Sequence, residues 1–338
     1  MKKKHYLYNL TIITKTIWNY KTIKSKAKIN FEKYKTFCYN YPRNGKWINE
    51  DGTVIFSNNL QYHFDDLKSK YMMVKTFENN DLETLELATA KGPISALVAK
   101  NSKSNKWVIG LHGWTEDKYL ALRLVFHYYQ QGYNILTFDA FAHGLTYGDK
   151  TDIGMSSVEI IDCLIEHLQK TYSPQSIGLI GNSMGASTSV LYSQIGKYKN
   201  KINWVVADCG FSSLKQQYRY FIENNFFHNC WWIEGYQFTK KFSKETKTNQ
   251  NKYNLTKGMK RCSEVPILFI HGQKDTFVPW WMSQEMYDKK RLYETNIQSE
   301  IWTPPDANHV AVIAKHYELY KTKTLEFGNK WEKNNEIK

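Results

Sequence analysis

The run Ser176-Ile177-Gly178-Leu179-Ile180-Gly181-Asn182-Ser183-Met184-Gly185-Ala186-Ser187 decides how this chain is read. A short apolar strand enters Gly-Asn-Ser-Met-Gly, and the residues from Ala186 to Gly196 pattern as a helix. A serine at such a strand–turn–helix junction is held in a strained backbone conformation with its hydroxyl projecting outward. Strand and helix pass so close there that the flanking positions must be small, which Gly181 and Gly185 satisfy. The pentapeptide alone equally fits a glycine-rich turn with an idle serine. The reading therefore depends on whether a base, an acid and an oxyanion hole occur at workable positions.

Working outward, short apolar segments alternate with helical ones. Tyr71–Phe77, Thr84–Thr89, Ile94–Ala99, Lys106–Leu111, Asn134–Phe138, Asn203–Ala207, Pro266–Ile270 and Glu300–Thr303 read as strands. Helical patterns fall at Asp117–Gln131, Ser156–Thr171, Ser283–Lys290 and Val310–Phe327. This alternation predicts an α/β domain with a mostly parallel sheet covered on both faces. The rhythm breaks between about 211 and 262, where bulky aromatics precede a polar stretch. An insertion of that length is expected to form a lid, of which Phe226, Phe227, Trp231 and Trp232, together with Trp280 and Trp281 further on, are candidate pocket residues.

Open α/β sheets bind ligands at the carboxyl ends of their strands. Ser183, Asp275 and His309 all follow strand segments, and they occur in the order Ser…Asp…His. A serine hydroxyl is a poor nucleophile at neutral pH. His309 would take its proton, and Asp275 would fix the imidazole tautomer and stabilise the imidazolium. The backbone N–H groups of Met184, just after the serine, and of Trp114, at the end of an earlier strand, are candidate oxyanion donors. Asp208 also ends a strand, but the Gly-x-x-Asp-x-x-Val-Pro context favours Asp275 as the acid. Asp139, His143, His112 and His271 read as structural.

Leu111-His112-Gly113-Trp114, Gly181-Asn182-Ser183-Met184-Gly185, Gly272-Gln273-Lys274-Asp275-Thr276-Phe277-Val278-Pro279 and Ala307-Asn308-His309 together resemble the α/β-hydrolase superfamily. The combination is most similar to its bacterial esterase/lipase or serine-peptidase-like branch. Phe138-Asp139 with Ala142-His143-Gly144 and Ala207-Asp208-Cys209-Gly210-Phe211 match further segments of that branch, so the likeness covers about residues 71–327. Phe141, where the branch often has Arg, and Ala186, where a second Gly is common, depart from the pattern without touching the three candidate residues. The resemblance implies a cofactor-free serine esterase or lipase acting through an acyl-enzyme on a small-molecule acyl substrate. A serine peptidase is the alternative, and a non-catalytic binding protein of the same fold a lesser one.

Composition bounds the remainder. The chain has 338 residues and a net charge of +14, and residues 1–50 carry twelve Lys/Arg against Glu32 and Glu50. A basic arm (1–70) is thus expected ahead of the hydrolase domain (71–327), with a polar tail at 328–338. The arm fits either peripheral membrane contact or a helix packed on the domain surface with solvated lysines; its modest apolar face favours the second. No nucleic-acid motif accompanies the charge, and the histidines lack metal-ligand spacing. Five cysteines without CxxC pairing point to a reducing, cytoplasmic setting. Abundant Lys, Asn and Ile with scarce Arg reads as the codon bias of an AT-rich bacterial genome.

Overall fold

A computed structural model describes residues 46–48, 54–57, 59–101, 104–225 and 231–333. The basic arm lies largely outside the described residues. Within it stand a small antiparallel ribbon of β1 (Lys46–Ile48) with β2 (Val54–Ser57), and α1 (Leu60–Ser69). No helix of the described residues is long and apolar enough to cross a membrane.

The central sheet has eight strands, β3 (Glu83–Thr89), β4 (Gly92–Ala99), β5 (Lys106–Leu111), β6 (Asn134–Phe138), β7 (Ser176–Asn182), β8 (Trp204–Asp208), β9 (Ile267–Ile270) and β10 (Glu300–Trp302). Their order is β10-β9-β8-β7-β5-β6-β4-β3. The six from β10 to β6 are parallel, and β4 and β3 complete one edge antiparallel. This is the α/β architecture the sequence predicts.

The apolar runs of the parallel strands feed two cores, because the pleat sends successive side chains to opposite faces. Ile177 and Leu179 of β7, Val205 and Ala207 of β8, and Ile267 and Phe269 of β9 join one cluster. On that face lie α3 (Ser157–Thr171), α4 (Met184–Ile195) and α7 (Trp281–Arg291), contributing Leu164, Val190 and Met286 among others. Ile180, Val206, Leu268 and Ile270 enter the second cluster, with Val125 and Phe126 of α2 (Lys118–Gln130), Ile313 of α8 (Val312–Lys315) and Phe327 of α9 (Tyr317–Lys333).

Two expectations are corrected. Tyr71–Phe77 is not a strand: Tyr71 stands in a turn with φ +55°, and the residues after it carry no regular secondary structure. Its alternating burial is real, with Met72 and Phe77 inside and Tyr71 and Met73 outside. That pattern arises because the segment crosses α2, where Phe77 packs on Tyr129 and Lys75 O accepts from Gln130 Nε2. The single helix expected over Val310–Phe327 is two. Val310 has a φ of +54°, which excludes it from a helix, and the chain breaks again at His316, whose Nε2 meets Asp306 Oδ1 at 2.7 Å.

Between β8 and β9 stand α5 (Leu214–Asn225), α6 (Trp231–Thr246) and two 3₁₀ turns. Several aromatics of this insertion are packing residues: Phe211 meets Tyr253 edge-on, and Tyr218 lies against Phe242. Gln217 of α5 donates to Phe277 O at 2.7 Å, tying the insertion to the loop that carries Asp275.

A tight constraint on the fold is where α4 leaves β7. A Cβ on Gly185 would stand 2.2 Å from Leu111 O, and one on Gly181 2.4 Å from the Gly185 carbonyl carbon. Both obstacles are backbone and cannot swing away. Gly185→Ala is therefore expected to cost at least the upper end of the roughly 1–3 kcal/mol usual for overpacking, read as a lowered urea midpoint. Ala186→Gly, one residue on, should cost only about 1 kcal/mol, the helix penalty of glycine.

Candidate active site

Ser183 sits at the junction with φ +51° and ψ −114°, well outside the helix it precedes. Its N–H donates to Asp208 O at 2.8 Å, and its own carbonyl accepts from Ser187 N, so the strained residue is fixed from both sides. Ser183 Oγ lies 3.0 Å from His309 Nε2, and His309 Nδ1 lies 2.6 Å from Asp275 Oδ2. The three predicted residues thus form one continuous hydrogen-bonded row, with contributions from three loops separated by up to 126 positions in sequence.

Asp275 is held by four donors. Its Oδ1 accepts the N–H groups of Phe277 and Val278, both at 2.9 Å. Its Oδ2 faces His309 and, at 3.1 Å, His271 Nε2. Burial opposes ionisation of this carboxyl, but the hydrogen bonds and charges of His271 and His309 outweigh it and bring the pKa down to about 2. The loops carrying Asp275 and His309 are stitched together by Gln273 N to Pro304 O and Lys274 N to Ala307 O. A Cβ on Gly272 would stand 2.2 Å from Ala307 O, so glycine is what lets these loops touch.

His271 was read from sequence as buried structure, and it has a more specific place. Its Nε2 faces only acceptors, Asp275 Oδ2 and Val278 O at 2.9 Å, so that nitrogen carries the proton. Its Nδ1 meets Ser283 Oγ at 2.7 Å. The signal in sequence was the His-Gly pair ahead of the acid's turn, which by itself names no partner.

The other strand-end residues brace the loops. Ala140 N–H donates to His112 Nε2 at 2.9 Å, leaving Nδ1–H to donate to Gly113 O at 2.7 Å. His112 therefore ties the Trp114 loop to the β6 turn, and burial lowers its pKa so that it stays neutral. Asp139 accepts from Lys118 Nζ at 2.8 Å and from the N–H groups of Lys118 and Leu145, fully buried. Burial pushes Asp208 up to about 6, and His309 turns its Nδ1 to Asp275 instead.

Sequence reading missed a charged network beneath the Trp114 loop. Glu116 Oε2 accepts from Gly113 N at 2.6 Å and from Asn182 Nδ2 at 2.9 Å, while Oε1 accepts from Arg123 Nη2 at 2.9 Å. Arg123 is fully buried and also binds Asp66 of α1. Burial alone would raise the Glu116 pKa, but Arg123 and these hydrogen bonds bring it down to about 2.

Of the candidate pocket residues, Trp280 is half-buried at the head of α7 and Trp281 is exposed beside it. Trp231 and Trp232 open α6, and Phe226 and Phe227 lie outside the described residues. Among the described residues, Phe277 brings an aromatic ring against the row, 5.1 Å from the His309 ring and 41% exposed. Among the described residues, one group has metal-ligand atoms within 4.8 Å of one another: Cys209, Asp275 and His309. Burial raises the Cys209 thiol far above its usual range, and the other two are already bonded to each other.

Residues 143–335 match the model of the prolyl oligopeptidase family. Among solved structures, the chain is similar to the esterase Pf2001 of Pyrococcus furiosus, at 27% identity over 77% of this chain and 98% of that one, with a TM-score of 0.61. It shares its fold with the acylaminoacyl peptidase of Pyrococcus horikoshii, at 16% identity over 78% of this chain and 43% of that one, TM-score 0.58. An uncharacterized protein of Bacillus subtilis (strain 168), YqkD, is 24% identical over 231 residues, 68% of this chain and 73% of that protein. With the family's match running over more than half its length, the chain belongs to the prolyl oligopeptidase family, and it is a serine hydrolase of the α/β-hydrolase superfamily, of esterase or peptidase kind.

Proposed function

We propose that this protein hydrolyses an ester or related acyl bond through Ser183, His309 and Asp275. The observation that carries the proposal is the row of hydrogen bonds from Ser183 Oγ through the His309 ring to Asp275. Ser183 Oγ attacks the acyl carbon while His309 Nε2 takes its proton. The oxyanion that forms accepts from the N–H groups of Met184 and Trp114. His309 then returns the proton to the departing alcohol, leaving an ester on Ser183. Water repeats the sequence in reverse, giving up a proton to His309 and releasing the acid. Asp275, ionised throughout the neutral range, holds Nδ1–H and offsets the transient imidazolium charge.

The ester reading draws on the likeness to an esterase aligned over nearly its whole length, and on the exposed Phe277 ring beside His309, which suits an apolar acyl or alcohol group. The family's name favours a second reading, cleavage of a peptide. Turnover of p-nitrophenyl esters of graded chain length, compared with aminoacyl and prolyl p-nitroanilides, separates the two. The expected result is kcat/KM at least an order of magnitude higher for the best ester than for the best anilide; the opposite ranking would establish a peptidase.

Ser183→Ala should lower kcat by on the order of 10⁴-fold or more and abolish labelling by a fluorophosphonate, with the unfolding midpoint close to that of the wild type. Persistent turnover or labelling would remove Ser183 from the mechanism.

Asp275 also predicts a pH signature. Its pKa falls from 3.8 to about 2 on folding, so its contribution to stability is complete above pH 3.8 and is lost as pH falls through about 2. The stability gap between wild type and Asp275→Asn should be present in full at about pH 4. It should then narrow by about 2 kcal/mol by about pH 2, read from urea unfolding at each pH.

A further inference from the structure

We infer that Glu116 is a positioning residue that clamps the Trp114 loop to the nucleophile turn. The inference rests on the Ser183 reading above for its catalytic consequence, and on geometry for the clamp itself. β5 and β7 are paired only as far as Leu111 and Gly181. Beyond that point their chains diverge, one towards α2 and the other into α4, and no further backbone ladder holds them in register. The two proposed oxyanion donors sit on these diverging segments, at Trp114 and Met184. An oxyanion hole works only if both donors are held within about 0.5 Å of the developing charge.

Glu116 spans the gap with a single atom. Its Oε2 accepts Gly113 N–H from one segment and Asn182 Nδ2–H from the other, next to Trp114 and Ser183 respectively. A Cβ on Gly113 would stand 2.9 Å from that oxygen and 3.0 Å from Asn182 Nδ2, so any larger residue there would push the carboxylate or the amide out of its present place. The second oxygen is engaged from behind by Arg123, which the Asp66 carboxylate of α1 also holds. The carboxylate is thus fixed in charge, rotamer and depth, and α1, outside the sheet, becomes part of what positions the site.

The assignment of the bonds to separate oxygens gives a discriminating test. Glu116→Gln keeps one carbonyl oxygen that can accept both loop donors, while turning its NH₂ against Arg123. Glu116→Ala removes both loop bonds, and Asn182→Ala removes only the one to the nucleophile segment. Each variant is assayed with a p-nitrophenyl ester, with active sites counted by end-point fluorophosphonate labelling, and backbone hydrogen exchange is followed in the peptide covering 111–116. Expected for Glu116→Ala is a fall in kcat per labelled site of about 10- to 100-fold with KM little changed, together with faster exchange at Gly113. Asn182→Ala should lose less. Glu116→Gln should keep both kcat and Gly113 protection near wild type while its unfolding midpoint drops. Wild-type kcat in Glu116→Ala, or equal loss of kcat in Glu116→Gln, would overturn the clamp. Full activity in Ser183→Ala would overturn the hydrolytic reading instead, and the exchange measurement alone would then decide whether Glu116 holds the loop.

Discussion

The contact on which the molecule turns is the passage of the first turn of α4 over the ends of β5 and β7. Gly181 and Gly185 allow backbone to meet backbone there, and any side chain would force the helix outward. That contact fixes the start of α4 at Met184, leaves Ser183 at a φ of +51° and aims its hydroxyl away from the sheet. Strain of this kind persists only where the surroundings over-determine it. Here β7 is buried along its whole length between two parallel neighbours, and α4 is packed along nearly all of its own. The rigidity of the centre is what permits an unfavourable backbone conformation at its edge.

Charge is managed by the same principle at the carboxyl ends of the strands. Several ionisable groups are removed from water there, each against an opposing desolvation cost. Asp275 and Glu116 remain ionised because three or more donors converge on each. Lys118 and Asp139 neutralise each other, and His112 stays neutral by placing a donor on one nitrogen and an acceptor on the other. Loops held in this way need no reorganisation when a reacting group meets them. The floor of the site is therefore electrostatically prepared before any substrate arrives.

Much of this was legible in the sequence. The alternation of apolar strands and helices located all eight strands of the main sheet, since buried parallel strands leave continuous apolar runs between turn residues. Ser183, Asp275 and His309 were readable because each lies at a strand end in a short, chemically distinctive turn. What escaped reading escaped for physical reasons. Tyr71–Phe77 alternates like a strand because a helix surface can bury every second residue of an irregular segment as well as a sheet can. The break at His316 depends on a partner, Asp306, whose position follows from the fold and not from local pattern. Glu116, Arg123 and Asp66 carry no motif; a charged residue on a helical pattern normally reads as solvated surface, and only the packing of α1 on α2 reveals Arg123 as buried and the two carboxylates as partly buried.

The division between the legible and the hidden residues follows their roles. The residues of the Ser183–His309–Asp275 row lie at the open end of the sheet, where the chain reverses sharply and glycine, proline and small residues mark the turn. Residues that hold those turns in place can come from anywhere the fold brings a donor or acceptor, because they need only one good hydrogen bond and burial. The matched family span begins at His143, so Asp66, Gly113, Glu116 and Arg123 all lie ahead of it, and only Asn182 lies within. The anchoring residues are thus far apart in sequence and meet only through the fold. In this protein that anchor runs from Asp66 on α1 through Arg123 and Glu116 to Asn182, the residue immediately before the serine. The consequence is that the turn at Ser183 is linked, through one continuous chain of ion pairs and hydrogen bonds, to a helix that contributes nothing to the sheet.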